Sequence, residues 1–277
     1  MKSRGQSEIL SVVILTATIL AVAAMFLVVA MRSFNYDSAY YSISYVASFL
    51  TNVADDIDTY LMSPGVSLTY ALPSTEYGVY NYVYSNDAYC EIYVNASGAN
   101  IVTATSGVLI YGVPPNYFSI PASRSAWYVW RGSNMIGYPT VNPSDFSLIV
   151  GPGVFALTGT LISIVQFGYG SVDGVSYGTF LALVPRVLAI NGSLNSGVGY
   201  IYIPVFISMG NSTGRNILTI KILSVSSFSL SDVRHLIVTE KCNIGKYILL
   251  TNPALRKVTV VGNNIYIVEI RIGINMG

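Results

Sequence analysis

From Ile9 to Met31 the chain runs for 23 residues without a charged side chain or a proline. No other feature restricts the fold as strongly. A helix of that length spans about 35 Å, more than the roughly 30 Å of bilayer hydrocarbon. The run is rich in Ile, Leu, Val and Ala, and its Ser11, Thr16 and Thr18 can bond back to carbonyls of the preceding turn. Lys2 and Arg4 precede it and Arg32 closes it. That balance favours an N-terminus in the cytoplasm and the rest of the chain outside. An ordinary secretory signal has a shorter apolar core followed by a small-residue cleavage site. Here Arg32-Ser33-Phe34 follows instead.

Composition narrows the partners. Charged residues make up 10% of the 277, against about 25% in a typical soluble domain. Part of the chain in lipid, or much of its surface against other subunits, accounts for that. The 22 tyrosines suit subunit contacts, because interface cores are rich in aromatic and poor in charged residues. A net charge of +1 leaves no footprint for nucleic acid. Residues 33–185 carry two basic and nine acidic side chains; residues 186–277 carry nine and three. Two differently charged surfaces are expected.

The segment ahead of the apolar run carries the most specific motif. Lys2-Ser3-Arg4-Gly5-Gln6-Ser7-Glu8-Ile9-Leu10 sets basic residues, a glycine, two polar residues and one glutamate directly before it. Over residues 2–31 the chain resembles the class III signal peptide of archaeal type IV pilins and archaellins. The resemblance implies that a membrane peptidase cuts between Gly5 and Gln6. The apolar helix then stays on the mature protein, as anchor and later as filament core. Ser7 and Glu8 become the second and third mature residues. Bacterial pilins place their glutamate at the fifth, so its role there does not carry over to Glu8. Physically, a carboxylate at a helix start gains from the helix dipole. Glu8 then either sits hydrated among headgroups or pairs with a neighbouring N-terminal amine. The alternative to cleavage is a signal anchor that stays whole.

Past Arg32 the helical pattern continues. Ala39, Ile43, Val46, Leu50, Val53, Ile57 and Leu61 recur at spacings of three and four, one apolar face of a helix. Asp55, Asp56 and Asp58 fall on its polar side, and Pro64-Gly65 stops it. The apolar face packs either on the chain's own β domain or in a bundle between subunits. From residue 66 on, the signals are strands and turns. Tyr77–Tyr84 and Cys90–Val94 are rich in aromatic and β-branched residues, and Ile217–Val225 alternates. Val258–Val261 and Ile265–Ile272, around Gly262-Asn263-Asn264, read as a hairpin with Glu269 and Arg271 on one face. Strands and helices do not alternate. The expected fold is therefore α+β: a long N-terminal helix, transmembrane then amphipathic, and a large antiparallel β-sandwich-type head. The expected units are a signal peptide over 1–5, the helix over 6–62 and the head over 63–277. A division of the head falls near 168–178.

Cys90 and Cys242 belong to no metal-binding spacing. They are either a disulfide or two buried thiols. Asn95, Asn191 and Asn211 open Asn-x-Ser/Thr triplets, which are either glycosylation acceptors outside the cell or ordinary turns. Gly174-Val-Ser-Tyr-Gly178 matches a nucleophile elbow, yet that motif needs a strand-to-helix turn with the acid and histidine later in the chain. His235 is the only histidine, three residues after Asp232. No catalytic residue, metal or cofactor is expected. The resemblance implies a structural subunit of an adhesive filament outside the cell, with identical copies, the prepilin peptidase and the assembly machinery as partners. Before assembly such a subunit sits in the membrane. The alternative is a membrane-tethered surface binding protein or minor pilin.

Overall fold

The computed structural model describes residues 4–74, 77–83, 88–120, 128–131, 148–151, 161–172, 174–190, 192, 197–210, 216–231, 235–244 and 254–277. A single helix, α1, runs unbroken from Arg4 to Tyr60. At 57 residues it is about 85 Å long. It ends where Ser63 N donates to the Tyr60 carbonyl, just before Pro64. Gly65, at φ 91°, then turns the chain so that its own N–H meets the Ile222 carbonyl at 2.8 Å.

Everything after α1 is strand and connection. In order these are β1 (Ser67–Ala71), β2 (Val79–Val83), β3 (Ala88–Ala96), β4 (Ala99–Ser106), β5 (Val108–Val113), β6 (Tyr128–Arg131), β7 (Leu148–Gly151), β8 (Ile162–Phe167) and β9 (Gly170–Val172). Then come β10 (Val175–Tyr177), β11 (Thr179–Pro185), β12 (Val187–Ile190), β13 (Val198–Ser208), β14 (Ile217–Ser231), β15 (His235–Ile244), β16 (Ala254–Val261) and β17 (Asn264–Met276). The fold class is α+β, with a β-rich body. Its largest sheet has the order β1-β14-β17-β13-β12-β7, a second β2-β5-β11-β8-β6, and a third β16-β15-β3-β4. Most pairs are antiparallel, but β13 runs parallel to β17, and β12 to β7.

The main core forms around the C-terminal half of α1. Ala39, Ile43, Val46, Leu50, Val53, Ile57 and Leu61 are all at most 4% exposed. They share one cluster with Leu109 and Tyr111 of β5, Ile162 and Ile164 of β8, Leu181 and Leu183 of β11, and Ile270 and Ile272 of β17. The apolar face read from its spacing thus packs on the chain's own head. A second core joins the far face of the largest sheet, through Ile201, Ile203, Ile265 and Ile267, to Ile92, Val94, Leu236 and Val238 of the third.

The hairpin expected at Gly262-Asn263-Asn264 is corrected. β16 pairs with β15, whereas β17 pairs with β13 and β14, so this turn passes the chain from one sheet to another. The cause is burial on both faces of β17. Ile265 and Ile267 enter one core, and Val268, Ile270, Ile272 and Ile274 the other. Such a strand takes a central position, and its two flanks are already filled. Gly262 permits the crossing: a Cβ there would lie 2.9 Å from the Gly199 nitrogen. The Gly168–Gly178 stretch, where a division of the head was expected, connects β8 to β11, which pair with each other in one sheet.

Several tyrosines are interior, which composition alone did not suggest. Tyr111 is fully buried, and Tyr82 and Tyr177 lie against Gly107 and Gly112, where a Cβ would come within about 2 Å of the ring. The Tyr82 hydroxyl donates to the Phe206 carbonyl at 2.9 Å, tying the second sheet to the first.

Candidate functional site: the anchoring helix and its clasp

The two halves of α1 meet opposite environments. From Leu10 to Phe34 every residue is exposed, Phe26 and Met25 by 70% or more. The most apolar window has a mean hydropathy of 2.9 with none of it buried. This is one helix long and apolar enough to cross a membrane. Within it the Thr16 hydroxyl donates to the Val12 carbonyl at 2.8 Å, and the Thr18 hydroxyl to those of Leu15 and Ile14. Their polarity is thereby satisfied without water. Gly5, Gln6 and Glu8 lie on the first two turns of the same helix.

Beyond Arg32 a collar of exposed aromatic rings follows: Phe34, Tyr36, Tyr40, Tyr41 and Tyr45, each at least 50% exposed. Rings with one apolar and one polar end suit the boundary between membrane and water.

A clasp then fixes the helix to the head. Arg131, at the end of β6, is 8% exposed. Its Nε and Nη2 donate to Asp55 Oδ1 at 3.0 and 2.7 Å, and Nη2 also reaches Asp58 Oδ2 at 2.7 Å. Nη1 donates to the Ile162 carbonyl on β8. One guanidinium therefore joins α1 to two strands. The Asp55 arm is 60% exposed and contributes little; the Asp58 arm, at 21%, is the one water screens least. Burial holds the Asp58 carboxyl above its ordinary 3.8, and the nearby Arg131 charge opposes that rise. Asp56 accepts from Tyr70 OH on β1 at 2.9 Å, and burial with that bond pushes the Tyr70 phenol up. All three aspartates read as a polar helix side include contacts to the head. Arg131 was not singled out from the sequence. Its signal was present, since residues 33–185 hold only two basic side chains against that acidic cluster.

The remaining sequence expectations fall elsewhere. Cys90 of β3 and Cys242 of β15 are directly opposite in the antiparallel register. Opposite Cα atoms in such a pair lie about 4.5–5.5 Å apart, inside the range a disulfide requires. A covalent cross-strand bond is expected, closing a loop of about 150 residues worth up to roughly 5 kcal/mol in the chain-entropy model. Alkylation and mass spectrometry of the non-reduced native protein should find neither thiol free; two labelled thiols would refute the bond.

Asn95 ends β3, just before a two-residue turn in which Ser97 and Gly98 both take positive φ, 47° and 89°. It is half-buried, with its Oδ1 enclosed and without a hydrogen-bond partner. Asn191 and Asn211 lie outside the described residues. Ser176 stands on β10 in a two-stranded ribbon with β9, not on a strand-to-helix turn. Arg271 Nε and Glu269 Oε1 pair at 2.7 Å on one face of β17. Among the described residues no three His, Cys, Asp or Glu side chains gather as a metal site. Comparison with protein-family models, with curated proteins and with solved structures found no match.

Proposed function

We propose that this chain is a structural subunit of an extracellular, type IV pilus-like filament that serves surface attachment. It assembles from identical copies through its N-terminal helix, after a prepilin peptidase removes residues 1–5. The observation that carries this reading is the division of α1. Its second half is the core of the head, while Leu10–Phe34 is wholly exposed and apolar. A helix rigidly held by its own head, yet bare along its first half, needs lipid before assembly and other helices afterwards. The Arg4-Gly5-Gln6-Ser7-Glu8 motif supports processing at the start of that bare half. The core shared by the largest and third sheets supports a sandwich-type head, outside the membrane, as the filament wall.

The experiment is the N-terminal sequence of the protein from its native membrane. A start at Gln6 is expected, and Gly5→Leu should leave the chain uncut and held in the membrane fraction. A wild-type start at Met1 or Lys2, or normal trimming of Gly5→Leu, would remove the peptidase step. The chain would then be a tethered surface binding protein.

A further inference from the structure

Where α1 enters the head, a cavity of about 730 Å³ opens between the helix and the second sheet. Tyr36 and Tyr40, one turn apart on α1, line it with Phe118; ring centroids lie 4.8 Å apart for Tyr36–Phe118 and 5.8 Å for Tyr40–Phe118. From β6, Trp130 adds a fourth ring. Its indole is held in place, since Nε1 donates to Gln166 Oε1 at 3.2 Å, and Gln166 Nε2 donates to Thr179 Oγ1 at 3.2 Å. Gln166 is 5% exposed, so this amide pair fixes the indole from below. Asp37 is the one charged residue among the described lining residues, and Ser44 and Ser119 add neutral donors and acceptors.

We propose that this cavity binds a neutral sugar. Its volume lies within the roughly 300–1,000 Å³ of small-molecule sites. A pyranose presents apolar C–H faces and a polar hydroxyl rim, which matches flat rings interleaved with a carboxylate and hydroxyls. An anionic ligand meets Asp37 with no lysine or arginine beside it. A quaternary ammonium would use the rings and Asp37 but leave the serines idle. The wall residues Tyr36, Tyr40 and Ser44 lie about 6, 12 and 18 Å beyond Arg32 along the helix. The same chemistry reaches that depth as a soluble glycan or as the headgroup of a neutral glycolipid. None of this depends on filament assembly.

The test is calorimetric titration of the full chain in detergent with maltotriose and cellotriose, and with tri-galacturonate and tetramethylammonium as charged counterparts. Saturable binding of a neutral trisaccharide is expected, stronger than either charged probe. Tyr40→Ala, which removes a half-exposed ring, should weaken it about tenfold, the loss of one stacked ring. Tyr41→Ala, 70% exposed, does not line the cavity and should bind as wild type. Both variants should melt as wild type does, since neither ring is part of the buried core. Repeating the titration in phosphatidylcholine vesicles with and without a digalactosyl lipid separates the sources. Competition by that lipid assigns a headgroup, and undiminished binding assigns a soluble glycan. The absence of saturable binding by both neutral sugars would overturn the proposal. So would tighter binding of either charged probe, or a Tyr40→Ala variant that binds as wild type.

Discussion

Replacing Ala21 by Trp is expected to leave membrane insertion intact and to abolish filaments. Ala17, Ala21 and Ala24 recur at spacings of four and three on a helix otherwise crowded with Leu, Ile and Val. Small residues let membrane helices approach closely, and a filament core of bundled helices needs that approach. Lipid accommodates the added volume of an indole, whereas a close-packed bundle does not. Ala21→Asp would be less informative, because a charge in this run opposes insertion as well as packing. The measurement is fractionation to establish insertion, followed by electron microscopy of sheared surface material. Wild-type filaments that contain this chain and are missing in the variant are the expected result. Filaments unchanged by Ala21→Trp would refute a tight helical core.

The second large effect is expected at Arg131. Arg131→Met keeps the stem that packs between α1, β6 and β8 but removes the charge. Asp58 is then left buried against an apolar neighbour, and leaving one partner of a buried pair uncompensated costs about 3 kcal/mol. Nearly all of this should come from Asp58, because Asp55 is 60% exposed and water screens it. Adding Asp58→Asn should recover much of the loss, a coupling that a double-mutant cycle reads directly. The pH dependence follows in sign. The folded-state pKa of Asp58 lies above its ordinary 3.8. Its contribution to stability is therefore fully present below about 3.8 and is lost as pH rises through the raised value. Removing Arg131 removes the influence that lowers this pKa. The variant should gain more stability than wild type on acidification from neutral pH towards 4. Thermal melts of the full chain in detergent, followed by near-ultraviolet circular dichroism, measure both effects. A variant within about 0.5 kcal/mol of wild type, the range of ordinary surface changes, would show that the clasp is not structural.

The same pair shows how structure and function are coupled along α1. The head's main core is built on residues 39–61, so the helix cannot leave the head without unfolding it. Any force on the bare half is thus transmitted to the β body through buried apolar contacts and one guanidinium. That is the mechanical arrangement a filament subunit requires, and a tether requires it less.

Local chemistry settled a good part of this protein. Twenty-three uncharged residues fix a membrane-length helix whatever follows, because no soluble surface tolerates such a run exposed. The three-and-four spacing from Ala39 to Leu61 named the buried face residue by residue, since helical period and burial are both local consequences of 3.6 residues per turn. The alternation at Ile217–Val225 was read correctly for the same reason, with Leu218, Ile220 and Ile222 buried. What the sequence left open depends on contacts between distant segments. The parallel pairing of β13 with β17, the passage of Gly262 between sheets, and the meeting of Cys90 with Cys242 join residues tens to more than a hundred positions apart. Alternation says that a strand has two faces but not which strand lies beside it. Arg131 illustrates the same limit. Its charge was visible, but only the folding of β6 against α1 decided that it would be buried between two aspartates and a carbonyl. The tyrosines complete the contrast. Their number was legible, while the division between rings buried against glycines and rings bare on the collar was set by packing, because a glycine opposite a ring is a property of register and not of composition.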